Sequence, residues 1–164
     1  MSPCGSFLFY VSLKMLMQMK TKTAKETRQI AEIFAATIKD SPFDPHSALI
    51  IALEGELGAG KTTFTQSLAR FLGVRRSVQS PTFVLMKRYP IKTKSFKNLW
   101  HVDCYRVESL RELEVLGFHD ILRDPDNIIC IEWADKISAM LPKNRITIKF
   151  DHEGEQERSI RFSI

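Results

Sequence analysis

Apolar residues recur along this chain in segments that predict alternating helices and strands. Thr23 and Glu26 have the spacing of a helix-capping pair, and the apolar residues that follow recur at helical intervals until Pro42 and Pro45 forbid continuation. The next run, 48–53, is continuously apolar, which is typical of a strand buried on both faces. The first third of the chain is therefore expected to place a helix directly before a buried strand.

The remaining elements follow from the same patterns. A second amphipathic helix is expected from Gly60 to Leu72, with Gly73 in the position of a helix-ending residue. Further strands are predicted at 82–89, 99–104 and 128–132, a short helix at 110–116, and a terminal β-hairpin from 145–150 and 158–164. Because strands and helices alternate, the predicted fold class is α/β.

Length and composition fit one folded domain. The chain has 164 residues, of which 44% are hydrophobic and 26% charged. Residues 21–164 are assigned to this domain, and residues 1–20, which lack its pattern, to an N-terminal extension that we expect to be poorly ordered. No apolar run is long enough for a membrane span. The three cysteines, Cys4, Cys104 and Cys130, form no CxxC pair, which favours free thiols in a reducing cytoplasm.

The segment from Gly55 to Thr62, GELGAGKT, matches the phosphate-binding loop pattern GxxxxGK[ST]. Its glycines let backbone amides approach phosphate oxygens, and the following helix directs its N-terminus at them. Lys61 is expected to reach the β- and γ-phosphates, and the Thr62 hydroxyl to complete a Mg²⁺ shell. We therefore predict a nucleotide-binding P-loop domain, a three-layer α/β sandwich whose central sheet is mixed and mainly parallel.

A second acid is usually needed to hold the metal, and it is expected where a neighbouring buried strand ends. Asp103 follows the apolar segment LWHV, and Glu132 ends the segment IICI. On residue pattern alone both stay candidates, and either can instead be an acid that caps a helix.

Charge is distributed unevenly along the chain. Nine basic residues and no acidic one lie between positions 57 and 102, whereas positions 103–157 contain thirteen acids and seven bases. This asymmetry indicates an anionic ligand or partner near the middle of the chain, although a solvated loop explains 92–97 equally well.

Five segments then resemble, in their order, the TsaE (YjeE) family, the P-loop ATPases of bacterial tRNA threonylcarbamoyladenosine synthesis. They are GELGAGKTTF, SVQSPTFVL at 77–85, HVDCYR at 101–106, ELEVLGF at 112–118 and IEWADKI at 131–137. The resemblance runs from about Thr23 to Ile164. The combination of SPTF, HxDxYR and EW is far more specific than the P-loop itself.

The resemblance implies a role for each matched residue. Thr62 and Glu132 match the Mg²⁺-contacting positions, and Asp103 matches an acid that orients the attacking water, so that Lys61 and Asp103 are the expected catalytic residues. The other nucleotide-binding positions are Gly55, Gly58, Ala59, Gly60, Lys61, Thr62, Thr63, Ser80, Thr82 and Trp133, where Ser80 and Thr82 belong to a segment that senses the γ-phosphate and Trp133 is equally well explained as a core aromatic. Thr27 and Arg158 are the candidates for the adenine side.

The resemblance also implies the activity and its partners. ATP binding and weak intrinsic hydrolysis with Mg²⁺ would support the TsaD–TsaB complex, in which TsaD transfers a threonylcarbamoyl group to N6 of adenosine 37 in tRNAs that read ANN codons. The chain is expected to be a cytoplasmic monomer, and direct contact with tRNA is left open. The alternative is a small nucleoside or nucleotide kinase with Asp103 as its base, for which the basic stretch 87–97 is the one candidate lid.

Overall fold

A seven-stranded sheet forms the centre of the computed structural model, which describes residues 18–40, 44–154 and 157–164. The strands stand in the order β1-β7-β6-β2-β5-β4-β3. The elements are β1 (Gln18–Thr21), α1 (Ala24–Ile38), β2 (Leu49–Gly55), α2 (Lys61–Phe71), β3 (Met86–Pro90), β4 (Asn98–Asp103), α3 (Arg111–Val115), α4 (Phe118–Arg123), β5 (Asn127–Glu132), a 3₁₀ turn (Ala134–Ile137), β6 (Ile146–His152) and β7 (Arg158–Ser163).

The sheet is mixed, with a parallel centre and antiparallel flanks. β6, β2, β5 and β4 run parallel, β3 pairs antiparallel with β4 at one edge, and β6–β7–β1 is antiparallel at the other. This confirms the predicted α/β class, the mixed sheet and the C-terminal hairpin. Because β2, β5 and β4 are parallel neighbours, their carboxyl ends meet at one edge of the sheet.

Helices cover both faces of the sheet. On one face α1 and α2 meet β6 and β7 through an aromatic cluster, in which Phe64 lies 5.7 Å from both Phe34 and Phe150 between ring centroids. On the other face Leu113 of α3 and Phe118 of α4 pack over β2 and β5 in a second cluster. None of the helices in the described ranges is long and apolar enough to cross a membrane.

Three elements differ from the sequence expectations. The strand predicted at 82–89 begins only at Met86, because 82–84 form a turn in which the Val84 amide donates to the Pro81 carbonyl. The short helix at 110–116 is followed by an unpredicted helix, α4, after Gly117 takes a left-handed conformation. Gln18–Thr21 forms an unpredicted strand against β7, so the last three residues of the expected extension belong to the sheet. Residues 1–17, with Cys4, and also Pro42 lie outside the described residues.

Gly55 joins β2 to the phosphate-binding loop at a point where no side chain fits. Its φ is +133°, and a Cβ atom added there would lie 2.1 Å from the carbonyl oxygen of Phe150 on β6. A glycine is therefore required by two independent constraints, the backbone conformation and the close approach of the neighbouring strand.

We expect Gly55→Ala to destabilise the fold strongly, because the clash is with backbone that is itself paired to β2. The free energy of unfolding, measured with urea, should fall by about 3 kcal/mol or more. Gly73→Ala is the matched control, since Gly73 also has a positive φ, +91°, but its added Cβ meets nothing within 4 Å. That variant should lose only about 1 kcal/mol; equal losses in the two variants would contradict the role of the clash.

Candidate functional site

A cleft of about 320 Å³ opens at the carboxyl edge of β2, β5 and β4. In the sheet register Leu53 of β2 pairs with Glu132 of β5, and Glu132 pairs with Asp103 of β4. The chain leaves each strand here, so polar side chains from three separate segments converge. The cleft is lined by Leu57, Gly58, Gly60, Lys61, Thr62, Thr63, Ser80, Thr82, Asp103, Tyr105, Glu132 and Trp133.

The loop after β2 wraps around the ammonium group of Lys61. Its Nζ donates to the carbonyl oxygens of Gly55 at 2.6 Å and Glu56 at 2.7 Å, and lies 3.9 Å from the ring centroid of Trp133. Burial lowers the pKa of Lys61, against the opposing attraction of Glu132, Asp135 and Asp103. The cation is thus held inside the loop, at the start of α2, by two backbone carbonyl groups and an aromatic ring.

Glu132 is held on both of its carboxylate oxygens. The Thr62 hydroxyl donates to Oε2 at 2.7 Å, and Nε2 of His101 lies 2.8 Å from Oε1. Since a carboxylate only accepts, this His101 nitrogen is the donor. His101 is fully buried, and its Nδ1 has no hydrogen-bond partner among the described residues. The histidine therefore orients the glutamate toward Thr62 and the cleft.

Asp103 organises the segment that precedes β3. The hydroxyls of Ser80 and Thr82 both donate to its Oδ2, the latter at 2.6 Å, and the Tyr105 amide donates to Oδ1 at 3.0 Å. Burial acts to raise the pKa of Asp103, but these hydrogen bonds outweigh it and hold the pKa below its usual value. The carboxylate is accordingly a stable anion and hydrogen-bond acceptor.

Trp133 lies at the mouth of the cleft in a strained conformation. It follows Glu132 directly with φ +58°, in the left-handed region that non-glycine residues seldom adopt. Its ring packs 5.1 Å from that of Tyr105 and also touches the second core cluster. Trp133 is therefore both a cleft residue and a partly buried packing residue, so the two interpretations of it from sequence are compatible.

Comparisons with known proteins show the family of this chain. Residues 21–160 match the family model described as "Threonylcarbamoyl adenosine biosynthesis protein TsaE". The chain belongs to the TsaE family. It is 39% identical over 144 residues to the tRNA threonylcarbamoyladenosine biosynthesis protein TsaE of Bacillus subtilis, an alignment that covers 88% of this chain and 83% of that protein.

Other matches extend the same relationship. The protein of that name from Rickettsia typhi is 41% identical over 118 residues, which cover 71% of this chain and 74% of the relative. The crystal structure of Bacillus subtilis YdiB has a TM-score of 0.66 and 32% sequence identity, and the match covers 88% of this chain and 82% of the other. Membership of the TsaE family and the fold class are thereby confirmed.

Most residues that the TsaE resemblance singled out meet in this cleft. The other two do not line it. The carbonyl group of Gly55 accepts a hydrogen bond from Lys61, and Ala59 is buried within the loop. Neither adenine-side candidate lines the cleft. Thr27 is buried in α1 close to Gly60, and Arg158 begins β7.

His101 is the residue that sequence reasoning missed. It stands in the recognised segment HVDCYR, two residues before Asp103, and therefore points to the same face of β4 as Asp103. The available signal in the sequence was a histidine within an apolar strand segment, two positions before the acid that ends the strand. Its partner, Glu132, is 31 positions away, and only the β4–β5 register brings the two together.

Two buried thiols flank the site without entering its chemistry. Cys104 follows Asp103, and Cys130 lies on β5 with its Sγ 3.4 Å from the Thr65 hydroxyl. Burial raises the pKa of each thiol to about 12. Neither is a thiolate at neutral pH, so neither is a nucleophile there.

Asp103 should make folding stability depend on acid. Because its pKa is lower in the folded protein, its contribution is fully present above the unfolded pKa of about 3.9 and is lost as pH falls through the folded value. Asp103→Asn should therefore cost about 1–2 kcal/mol in the free energy of unfolding near pH 7, and progressively less as pH falls through the lowered pKa of Asp103. Urea titrations at several pH values measure this difference.

The matched control is Glu32→Gln, which removes a negative charge from an exposed position on α1. Its effect on the free energy of unfolding should be within about 0.5 kcal/mol of zero at every pH. A cost of Asp103→Asn that stays constant with pH would rule out the charge of this carboxylate as the cause.

Proposed function

We propose that this chain binds ATP with Mg²⁺ in the cleft and hydrolyses it slowly. The observation that carries the proposal is the convergence of Lys61, Thr62 and Glu132 on a strand–loop–helix unit with the phosphate-binding pattern. The loop amides and the N-terminus of α2 supply the preorganised positive potential that a triphosphate needs. Lys61, held at the start of the same helix, supplies the localised charge.

The oxygen donors of the cleft fit a magnesium ion. Thr62 Oγ1 and Glu132 Oε2 lie 2.7 Å apart, and both are hard oxygen atoms of the kind that Mg²⁺ prefers. His101 fixes the carboxylate so that Oε2 keeps this direction. When bound, the ion would neutralise phosphate charge. The roles of Thr62 and Glu132 as its protein ligands are part of the proposal.

Asp103 is proposed to orient the attacking water while the segment with Ser80 and Thr82 follows the state of the nucleotide. A carboxylate whose pKa is lowered is a poor store for a proton but a reliable acceptor, which suits orientation of water. Ser80 and Thr82 are attached to the cleft through their hydroxyls on this one carboxylate. A phosphate group that binds beside Asp103 would therefore compete with this carboxylate for the hydroxyl groups of Ser80 and Thr82.

The biological role that fits is support of tRNA threonylcarbamoyladenosine synthesis in the cytoplasm, through the TsaD–TsaB complex. The relatives are named for this biosynthesis. Leu57 lines the cleft, and Phe83 and Val84 directly follow Thr82, which also lines it; the three are exposed by 73%, 83% and 62%. Exposed apolar side chains at and next to a nucleotide cleft are typical of a surface that meets a protein partner.

The stretch 87–97, the candidate lid of the kinase alternative, runs away from the cleft along β3. Met86 pairs with Val102 near the cleft, but β3 runs antiparallel to β4, so that Pro90 pairs with Asn98 at the other end. Positions 91–97 therefore lie at the opposite edge of the sheet from Lys61. The Lys97 ammonium is also bound to Asp126 at 2.5 Å. Within the described ranges this stretch does not cover the phosphate-binding loop.

Two substitutions separate the nucleotide and metal parts of this proposal. Lys61→Ala should weaken ATP binding by at least about tenfold even without Mg²⁺, because the localised cation of the loop is lost. Glu132→Gln should leave metal-free ATP binding within about twofold and reduce Mg²⁺-stimulated hydrolysis by at least about tenfold, because it removes a charged oxygen donor. Calorimetric titration and phosphate release measure the two effects.

Lys87→Ala, which removes a cation from β3 outside the cleft, is the control for net charge. It should bind and hydrolyse ATP like the unchanged protein. Normal ATP affinity in Lys61→Ala would overturn the nucleotide site. Phosphate transfer that depends on an added nucleoside would instead establish the kinase.

The partner surface is tested with Phe83→Ala, because an exposed aromatic at the centre of an interface usually carries much of the binding energy. We expect its association with purified TsaD–TsaB, measured by biolayer interferometry with ATP, to weaken by about tenfold while ATP affinity is kept. Ile33→Ala on α1, where the side chain is 53% exposed, is the apolar control and should bind normally. Unchanged association of Phe83→Ala would exclude this surface.

A further inference from the structure

A second cavity, of about 580 Å³, lies along the outer side of α2 and is separate from the nucleotide cleft in its lining. Its walls come from the last turns of α2 and from the segment that leads away from that helix. Arg70, Arg75 and Arg76 line it together with Gln66, Ser77 and Val78, and we call it the arginine groove.

The arginine groove is strongly cationic and has no acidic lining residue. Arg70, Arg75 and Arg76 are all exposed, and in the part of the chain that the structure describes none of them forms a salt bridge. Three guanidinium groups around one concave surface repel one another and keep their hydrogen-bond donors available. Such a surface is suited to an anion that accepts bidentate hydrogen bonds.

We propose that the arginine groove binds the phosphate backbone of RNA, and specifically of tRNA. The proposal rests on the proposed function only for the choice of tRNA among RNAs. Each guanidinium would contact backbone phosphate oxygens, without reading bases. This chain would then touch the tRNA directly, at a site distinct from the one that takes ATP.

The lining favours a nucleic-acid backbone over a peptide. Protein interfaces centre on apolar and aromatic anchors, but the apolar lining here is only Val74 and Val78, both at most 9% exposed. Protein–nucleic acid interfaces are by contrast more polar and much more positive. The groove also belongs to the stretch 57–102, which contains nine basic residues and no acid, so no neighbour along the chain cancels its field.

The groove and the nucleotide cleft share α2. Thr62 lines the cleft, whereas Gln66 and Arg70, four and eight positions later on the same helical face, line the groove. Eight residues of helix span about 12 Å. The Gln66 side chain donates to the Val78 carbonyl at 2.9 Å, which ties the groove wall to the segment that continues to Ser80. A ligand in the groove would thus contact the chain two residues before the cleft begins.

The test measures the affinity of the protein for a fluorescein-labelled transcript of a tRNA that reads an ANN codon. Fluorescence anisotropy reports binding at KCl concentrations between 50 and 200 mM, without nucleotide. A variant with Arg70→Ala, Arg75→Ala and Arg76→Ala should bind at least about tenfold more weakly. The slope of log affinity against log salt concentration should become less steep by about two. The variant loses three phosphate contacts, and each single-stranded contact releases about 0.7 counterions. Because all three positions are exposed, the variant should fold normally, and a thermal unfolding scan checks this.

The matched control combines Lys25→Ala, Arg28→Ala and Lys143→Ala, which removes the same charge from exposed sites outside the groove. It should bind tRNA within about twofold of the unchanged protein. Combined Arg→Lys substitutions at the three groove positions keep the charge, and should retain most of the salt slope while affinity falls by a few fold. Equal losses in the groove and control variants would overturn the proposal.

Two competition experiments identify the kind of anion that the arginine groove prefers. Inorganic pyrophosphate should displace the tRNA only at far higher concentration, and a polyglutamate peptide of equal charge should compete poorly. Tighter binding of polyglutamate than of tRNA would make the groove a peptide site and overturn the proposal. Since no arm contains ATP, failure of the proposed ATPase leaves these results intact, and failure of tRNA binding leaves the ATPase experiments intact.

Discussion

The parallel register of β2, β5 and β4 is the constraint on which the site depends. It places Asp103 directly beside Glu132 at the edge where the phosphate-binding loop begins. Two carboxylates on adjacent strands repel each other, and burial of both makes that repulsion more costly. The site is stable because each carboxylate has its own donors, and because the Lys61 ammonium lies close enough to attract both.

The donors differ in a way that assigns the two acids different tasks. Glu132 is bound by His101, which is fully buried on β4, and by Thr62, which belongs to the first turn of α2. Asp103 is instead bound by hydroxyls from a loop and by one backbone amide. The first arrangement fixes a direction, as a metal ligand requires. The second joins the carboxylate to a loop segment rather than to a helix or a strand.

The parts predicted from sequence are those whose signal is local. The loop pattern, the buried strand before it and the helix after it lie within 25 consecutive positions, and their mutual arrangement follows from chain connectivity. The pairing of Thr62 with Glu132 joins residues 70 positions apart, and only the family resemblance identified it. His101 was missed because its role exists only once the strands are in register.

The error at 82–85 has a physical cause of another kind. Thr, Phe and Val favour strands, and this preference outweighed the turn signal of Ser80 and Pro81 in the sequence prediction. A tertiary contact prevails over the local strand preference here. The buried Asp103 carboxylate is stabilised by hydrogen-bond donors, and the Thr82 hydroxyl can donate to it only if the chain turns toward it. Strand β1 was missed for the opposite reason, since four residues at an edge carry too little pattern to be recognised.

The loop before β3 is held by the Asp103 carboxylate and by the Arg106 guanidinium, which lies 4.5 Å from the ring centroid of Phe83. Phe83 and Val84 are largely exposed and contribute no core burial, while Leu85 has a φ of +62°, which costs about 1 kcal/mol for a side chain of its kind. Against that strain stand the two hydroxyl contacts to Asp103 and the hydrogen bond from the Asp103 amide to the Leu85 carbonyl. All three involve one residue at the cleft. The position of the exposed Phe83 therefore depends on the hydrogen bonds to Asp103 as well as on the contact with Arg106. Because Asp103 lines the cleft, the surface that contains Phe83 is coupled to the cleft.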